Sequence, residues 1–181
     1  QGPLGTRELN RLLQNKLNPP MKGKSEAVLM GRTLREGDKV MQVRNNYDIV
    51  WQQPDGTAGT GIFNGDMGMI EMLDNGSKTI QVRFEDKLAT YSFENQDQLE
   101  HAYAVTVHKS QGSEFEAVVM PLERRHPRLH YRNLLYTAVT RARRLLIMTG
   151  QRETVYAMVQ NDRRTLRYTN QKEMLREMVE E

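Results

Sequence analysis

The sequence contains no cysteine, which excludes disulfide bonds and zinc sites built from thiolates. Its four histidines lack the regular spacing of paired metal ligands. No stretch reaches the run of about 20 apolar residues that a membrane span needs, and no charged leader followed by an apolar stretch opens the chain. The clustered carboxylates of a metal-dependent nuclease are also missing. We therefore expect a cytoplasmic protein with no membrane partner, and we set a nuclease aside.

Positive charge gathers in the second half of the chain. The 181 residues have a formal net charge of only +3 at pH 7, but clustered arginines favour a partner that carries phosphate groups. These arginines are Arg124, Arg125, Arg128, Arg132, Arg141, Arg143, Arg144, Arg152, Arg163, Arg164 and Arg167. Acidic residues lie among them, so an ordinary solvated surface accounts for the charge alone equally well.

The first residues predict a helix. Thr6 can cap it, and Asn18-Pro19-Pro20 ends it. An apolar stripe recurs at helical spacing in Leu9, Leu12, Leu13 and Leu17. Because no core strand precedes this helix, we expect the chain to begin partway through a domain, as a fragment of a longer protein.

The region from Glu36 to Gln98 has the pattern of a small all-β module. Four runs read as strands: Lys39–Val43, Met67–Met72, Thr79–Phe84 and Ala89–Phe93. Turn signals separate them, and Asp74-Asn75-Gly76 predicts a hairpin. Several short strands in so few residues predict a bent SH3-like barrel. The glycine-rich stretch Gly56–Gly61 is predicted to be a mobile loop.

After Gln98 the pattern changes to strands that alternate with helices. Strands are predicted at Ala102–Val107, Ala117–Leu122 and Leu145–Thr149, and helices at Asn133–Arg143, Glu153–Gln160 and Gln171–Val179. This order is typical of a parallel sheet with crossover helices. The fold class is therefore α/β, with one domain formed by residues 1–35 and 98–181 and interrupted by a barrel at residues 36–97.

One candidate site follows the first of these predicted strands, in the segment Ala104–Phe115, which reads AVTVHKSQGSEF. Hydroxyl, imidazole and amide groups would lie at the carboxyl end of a strand, where open α/β sheets bind ligands. A solvated connection with no function is an equally good interpretation of this segment alone.

A second candidate segment is Leu134–Arg144, which reads LLYTAVTRARR. Its apolar residues would hold one helical face against the sheet, and Arg141 would lie at the helix C-terminus. Cations at that end also stabilise a helix dipole by about 0.3–1 kcal/mol each. Arg141 therefore needs no function to explain it.

Together the two segments resemble motifs V and VI of superfamily 1 helicases, in particular the RecD-like, 5′-to-3′ branch. Gly37–Tyr47 and Phe63–Asp66 are similar to the region where that family inserts an SH3-like module into its second RecA-like domain. Gly2–Thr6 with Leu9-Asn10 resembles the stretch after motif IV. The longer Trp51–Gly61 segment departs from the family pattern and leaves the loop geometry of the barrel open.

The resemblance implies a role for each matching residue. Arg141 would be an arginine finger that neutralises charge on the γ-phosphate of ATP. Gly112 and Glu114 would line the nucleotide, with the carboxylate accepting from a ribose hydroxyl. Thr106 and His108 would contact the backbone of single-stranded DNA. A loop that touches both ligands would couple the state of ATP to the grip on DNA.

The phosphate-binding half of such a motor is missing from the sequence. No G-x-x-x-x-G-K-[ST] loop and no apolar strand ending in magnesium-binding acids occurs. Gly23-Lys24-Ser25 imitates the end of that loop, but Asn18 holds the required earlier glycine position, so we predict a surface turn. ATP and Mg²⁺ would be held mainly by an N-terminal RecA-like domain of the same polypeptide, and the chain alone would be inactive.

Two alternatives remain open at this stage. The chain resembles the helicase half of a conjugative relaxase in motifs V and VI, although the SH3-like block favours the RecD-like family. It can also be interpreted as a freestanding nucleic-acid-binding module. Under the helicase hypothesis the expected partners are single-stranded DNA, the N-terminal RecA-like domain and the subunits of a nuclease complex.

Overall fold

The computed structural model describes residue 2, residues 4–123 and residues 129–162. The predicted helix Gln171–Val179 lies outside these residues. Within the part of the chain that is described, no helix is long and apolar enough to cross a membrane.

The chain opens with helix α1, Thr6–Leu17, as predicted, and Asn18 is its C-cap. Gly5 rather than Thr6 is the N-cap residue, and no side chain caps this end. A surface turn at Lys22-Gly23 follows. Strands β1, Glu26–Leu29, and β2, Arg32–Arg35, then form an antiparallel hairpin that the sequence did not predict.

The buried face of α1 is polar. Asn10, Gln14 and Asn18 are only 8%, 5% and 6% exposed, whereas Leu12 and Leu17 are 49% and 66% exposed. The leucine stripe expected from the sequence is therefore not the buried face. The amide side chains can be buried because each finds hydrogen-bond partners inside the protein.

Seven strands form one antiparallel sheet, which we call the β module. They are β3 (Lys39–Gln42), β4 (Asn46–Gln52), β5 (Ala58–Ile62), β6 (Met67–Asp74), β7 (Thr79–Phe84), β8 (Lys87–Ser92) and β9 (Leu99–His101). Their order in the sheet is β5-β4-β8-β7-β6-β3-β9. A 3-10 helix, Phe93–Gln98, connects β8 to β9. The predicted hairpin around Asn75 is confirmed, since β6 pairs with β7 across it.

Alternating apolar residues build the core of the β module. Ile80, Val82 and Phe84 on β7 are buried while their neighbours are more exposed, which is the period of a half-buried strand. Leu34 of β2 and Leu99 of β9 belong to the same apolar cluster. The sheet therefore continues to His101 and packs against the β1–β2 hairpin, while the domain boundaries at residues 36–97 stay a prediction.

Most of the glycine-rich segment Gly56–Gly61, predicted as a mobile loop, belongs instead to strand β5, which begins at Ala58, so that prediction is wrong. Trp51↔Gly59 and Val50↔Thr60 pair across the β4–β5 hairpin. Gly59 lies against the Trp51 ring so closely that a Cβ atom at this position would overlap the indole. The absence of a side chain therefore serves packing here and does not mark a flexible segment.

The last described part is an α/β unit. Strand β10, Phe115–Leu122, runs parallel to β11, Ala142–Gly150, and helix α2, Arg132–Val139, lies between them in the chain. Helix α3, Arg152–Gln160, follows. The predicted parallel arrangement with a crossover helix is confirmed.

Within residues 4–123 and 129–162, apolar side chains cover one face of the parallel pair and leave the other exposed. Met120 of β10, Leu135 of α2 and Met158 of α3 share one apolar cluster. Val119 and Ile147, in contrast, are 64% and 44% exposed. Parallel sheets are normally covered on both faces, so this face is unusually bare for its type.

Candidate functional site

A loop at residues 104–114, which we call the 104–114 loop, joins the β module to β10. The predicted strand Ala102–Val107 is wrong, because no described strand pairs with this segment. The side chain of Asn10 pairs with the backbone groups of this segment instead. Ala104 N donates to Asn10 Oδ1 at 2.8 Å, and Asn10 Nδ2 donates to Ala104 O at 2.8 Å. An amide side chain thus takes the place that a neighbouring strand would have.

The two residues predicted to contact DNA lie in the first half of this loop. Thr106 and His108 are both exposed, and Val107 between them packs against the apolar cluster of α2 and α3. Backbone turns fix the loop, with Ser110 N donating to Thr106 O at 3.0 Å and Lys109 N to Thr106 Oγ1 at 3.2 Å. The inward Val107 therefore holds its two neighbours on the surface.

Gly112 and Glu114, predicted to line a nucleotide, lie in the second half. Gly112 has φ +86°, and a Cβ atom there would meet nothing within 4 Å, so the positive φ rather than crowding favours glycine. Glu114 Oε2 is 3.2 Å from Arg143 Nε. The backbone beside Gly112 is thus open to a ligand, and the carboxylate of Glu114 already has a cationic neighbour.

Arg141 connects the two motif segments. It lies just after α2, which ends at Val139, so the predicted helix Asn133–Arg143 is too long. Its Nε donates to Thr137 O at 3.1 Å, and its Nη1 donates to Ser113 O at 3.0 Å. Its Nη2 donates to Thr140 Oγ1 at 3.3 Å. These bonds leave one further N–H group on each terminal nitrogen.

The arginine cluster is partly balanced by acids. Arg143 lies near Glu114 and Glu116, and Arg144 Nε is 3.9 Å from Glu116 Oε2. Arg124, Arg125, Arg128, Arg163, Arg164 and Arg167 lie outside the described residues. Of the described arginines in this cluster, Arg143 and Arg144 therefore have acidic neighbours.

A buried carboxylate near this loop was missed by the sequence analysis. Asp38, which follows β2, has no solvent exposure. Burial raises its pKa, but hydrogen bonds from His101 and Asn18 outweigh that effect, and its pKa lies below the usual value. Burial and the Asp38 charge raise the pKa of Tyr103 to about 12. Asn10, Gln14 and Asn18, spaced four residues apart along α1 and its C-cap, were the available sequence signal for this cluster.

Among the described residues, no group of three or more His, Cys, Asp or Glu side chains is arranged to hold a metal ion.

Comparisons with known proteins agree with this architecture. Residues 9–84 match the family model of the ATP-dependent RecD-like DNA helicase SH3 domain, and residues 101–149 match the UvrD-like helicase C-terminal domain. The crystal structure of Bacteroides Pif1 bound to ssDNA superimposes with a TM-score of 0.51 at 16% identity, over 82% of this chain and 40% of that one. The class is therefore a superfamily 1 helicase region, with an SH3-like domain inserted in a RecA-like fold.

Sequence relatives place the chain within that class. It is 34% identical to the ATP-dependent RecD2 DNA helicase of Deinococcus radiodurans over 79% of this chain and 18% of the relative. It is 34% identical to the RecBCD enzyme subunit RecD of Mycobacterium tuberculosis over 54% of this chain and 17% of that protein. The chain belongs to the RecD-like family of superfamily 1 helicases, as its motifs indicate. It spans less than a fifth of the length of either relative.

Proposed function

We propose that this chain is the C-terminal half of the motor of an ATP-dependent DNA helicase, which translocates on single-stranded DNA and unwinds the duplex. The observation that carries the proposal is the bonding of Arg141. Its guanidinium joins the end of α2 to the carbonyl of Ser113 in the 104–114 loop. One side chain thus links the two segments that we assign to nucleotide and DNA.

The residues on the nucleotide side fit a phosphate-bearing ligand. Arg141 is held by three acceptors and keeps N–H groups that can donate to phosphate oxygens. ATP would supply a γ-phosphate whose charge is redistributed as it is transferred. We assign Arg141 the role of neutralising that charge. Gly112 and Glu114 would border the nucleotide, with the Glu114 carboxylate beside Arg143.

On the DNA side, we assign Thr106 and His108 to the backbone of a single strand. Both are exposed on the 104–114 loop, which Arg141 contacts at Ser113. A hydroxyl and an imidazole can bond to phosphate or sugar without reading a base. This arrangement supports a sequence-independent grip, as a motor that moves along DNA requires.

The phosphate-binding loop and the magnesium-binding acids would come from an N-terminal RecA-like domain of the intact protein. The bare face of β10 and β11, with Val119 and Ile147 exposed, supports a further apolar partner within the same motor. Because RecD relatives are named as subunits of the RecBCD enzyme, subunits of a nuclease complex are the additional partners that we propose.

Replacement of Arg141 by alanine in the intact helicase tests the proposal. We expect kcat for ATP hydrolysis to fall by about 10³-fold or more, because a charge-neutralising arginine is lost. If Arg141 served only the helix dipole, stability would fall by less than about 1 kcal/mol and turnover would be normal. Steady-state ATPase assays and thermal melts separate these results.

Arg144→Ala is the matched control, because Arg144 lies on the same segment and its side chain is 83% exposed. It should change stability by less than about 0.5 kcal/mol, as surface substitutions do, and we expect kcat to stay close to the wild-type value. A normal kcat in the folded Arg141→Ala protein would exclude the arginine-finger role.

A further inference from the structure

Asp38 and the five groups that donate to it form a buried cluster, which we call the Asp38 joint. Its donors come from α1 with its C-cap, from β2, and from the chain at the end of β9. They are Gln14 Nε2 at 2.6 Å, Asn18 Nδ2 at 2.7 Å, Arg35 N at 2.8 Å, Tyr103 Oη at 3.0 Å and His101 Nε2 at 3.1 Å. A buried carboxylate with so many donors fixes the relative positions of all three elements.

The Asp38 joint lies next to the start of the 104–114 loop. Asn10, one helical turn before Gln14, bonds both backbone groups of Ala104 and also donates to His101 O at 3.1 Å. Tyr103, which donates to Asp38, directly precedes Ala104. His101 and Tyr103, which flank Ala102, are therefore both bonded to Asp38, and Asn10 of α1 also bonds His101. The loop begins directly after these fixed residues.

Two contacts outside the joint continue this link. Lys109 Nζ is 2.6 Å from Glu100 Oε2 on β9, and Lys39 Nζ of β3 lies 5.9 Å from the ring centroid of Phe115 at the start of β10. At its other end, the loop is bound to the α/β unit through Ser113 and Arg141. It is thus anchored to α1 and the β module on one side and to the α/β unit on the other.

We propose that Asn10, Asp38 and Tyr103 are positioning residues, which hold the 104–114 loop where Thr106 and His108 meet the DNA strand. Only Val105 separates Ala104 from Thr106, and each residue of chain spans at most about 3.6 Å. A displacement at Ala104 is therefore carried to Thr106 with little chain to absorb it. The inference rests on the proposed DNA contact of these two residues.

Two tyrosine substitutions separate positioning from general stability. Tyr103→Phe removes the hydroxyl that donates to Asp38 at 3.0 Å. Tyr91→Phe removes a buried hydroxyl that donates to Gln42 Oε1, also at 3.0 Å, but inside the β module. Asn10→Ala tests the loop anchor directly. All variants are made in the 181-residue chain and compared well below their melting temperatures.

The first readout is amide hydrogen exchange of residues 104–113, which follows local opening and not global stability when the protein is folded. We expect faster exchange there in Tyr103→Phe and Asn10→Ala and no change in Tyr91→Phe. The second readout is fluorescence anisotropy with a labelled oligothymidine. We expect Tyr103→Phe to weaken binding about fivefold, which corresponds to about 1 kcal/mol, one net hydrogen bond.

Unchanged loop exchange and DNA affinity in folded Tyr103→Phe would overturn the inference, as would equal effects from Tyr91→Phe. Thr106→Ala combined with His108→Ala reports on the proposed function separately. If this double variant binds oligothymidine normally, the assigned DNA contact is wrong, while loop exchange still decides whether Tyr103 holds the loop. If it binds weakly but Tyr103→Phe does not, only the positioning role fails.

Discussion

At the scale of single residues, Asp38 is a charged side chain with no solvent exposure. Its hydrogen bonds explain how the protein tolerates a buried charge. A carboxylate removed from water is unfavourable unless hydrogen bonds replace its hydration. In this protein, nearly all the donors that replace water around Asp38 are uncharged. The Arg35 guanidinium donates to Glu26 and to the Asn18 carbonyl and not to Asp38. Tyr103 is an uncharged donor, because burial and the Asp38 charge raise its pKa to about 12. An uncharged side chain at position 38 would leave several buried donors without an acceptor.

Asp38→Asn should lower the free energy of unfolding by about 2–4 kcal/mol at pH 7, since it leaves buried partners unpaired. The folded-state pKa of Asp38 is lowered. Its stabilisation is therefore complete above the unfolded-state pKa of about 4 and is lost as pH falls through the lower folded-state pKa. The measurement is urea unfolding at pH 7 and pH 3. The difference in the free energy of unfolding between Asp38→Asn and the wild type should be smaller at pH 3.

Asp48→Asn is the control for this measurement, because Asp48 is an exposed aspartate on β4. It should change stability by less than about 0.5 kcal/mol at either pH, as surface substitutions do. If Asp38→Asn destabilised the protein equally at both pH values, the ionised carboxylate would not be the source of the stabilisation.

The sequence predicted which segments form the candidate site better than it predicted which residues hold those segments in place. The segments that contain Gly112 and Arg141 were expected to act together, and Arg141 does bond to Ser113 in the same loop. Asn10 was noticed only as part of a family-like stretch. Its role depends on Ala104, more than ninety residues away, and no local pattern encodes a contact of that separation.

At the scale of elements, turn residues and alternating runs predicted β3, β6, β7 and β8 of the β module but missed β4, β5 and β9. Thr79–Phe84 was predicted with its observed bounds, because it alternates buried and less buried residues along its whole length. Ala58–Ile62 was missed since three of the residues from Gly56 to Gly61 are glycines, and only its pairing with Trp51 makes it a strand. Ala102–Val107 has the composition of a strand, but the Asn10 side chain pairs with the backbone N–H and carbonyl of Ala104. Tertiary partners decided both cases.

The β4–β5 hairpin gives a prediction at this scale. Gly59→Ala should destabilise the protein by about 1–3 kcal/mol, because the new Cβ would overlap the Trp51 ring and force it to move. The chain contains one tryptophan, so its fluorescence reports on this position alone. We expect a shifted emission maximum in the folded variant and a lower urea midpoint.

Thr60→Ala, at the exposed neighbouring position of β5, is the matched control and should keep the wild-type emission spectrum. A Gly59→Ala protein with wild-type emission and an unchanged urea midpoint would show that β5 does not pack on Trp51. That result would restore the interpretation of this segment as a flexible loop.

At the scale of the whole molecule, the chain combines an SH3-like β module with part of a RecA-like motor. The two are joined through α1, the Asp38 joint and the 104–114 loop. The proposed arginine finger and DNA contacts are therefore tied to the β module. Structure and family agree on a RecD-like helicase region in which an SH3-like domain is inserted in a RecA-like fold.

We predict that the 181-residue chain has no ATPase activity above buffer, with or without DNA. Phosphoryl transfer needs a backbone cradle with lysine and a magnesium-binding acid, and neither motif occurs in this sequence. Arg141 alone can neutralise charge but cannot position a phosphate for attack. The measurement is phosphate release by purified chain, with the Arg141→Ala chain assayed in parallel. Activity equal in both would come from a contaminant, whereas DNA-stimulated turnover that disappears with Arg141→Ala would refute the half-motor assignment.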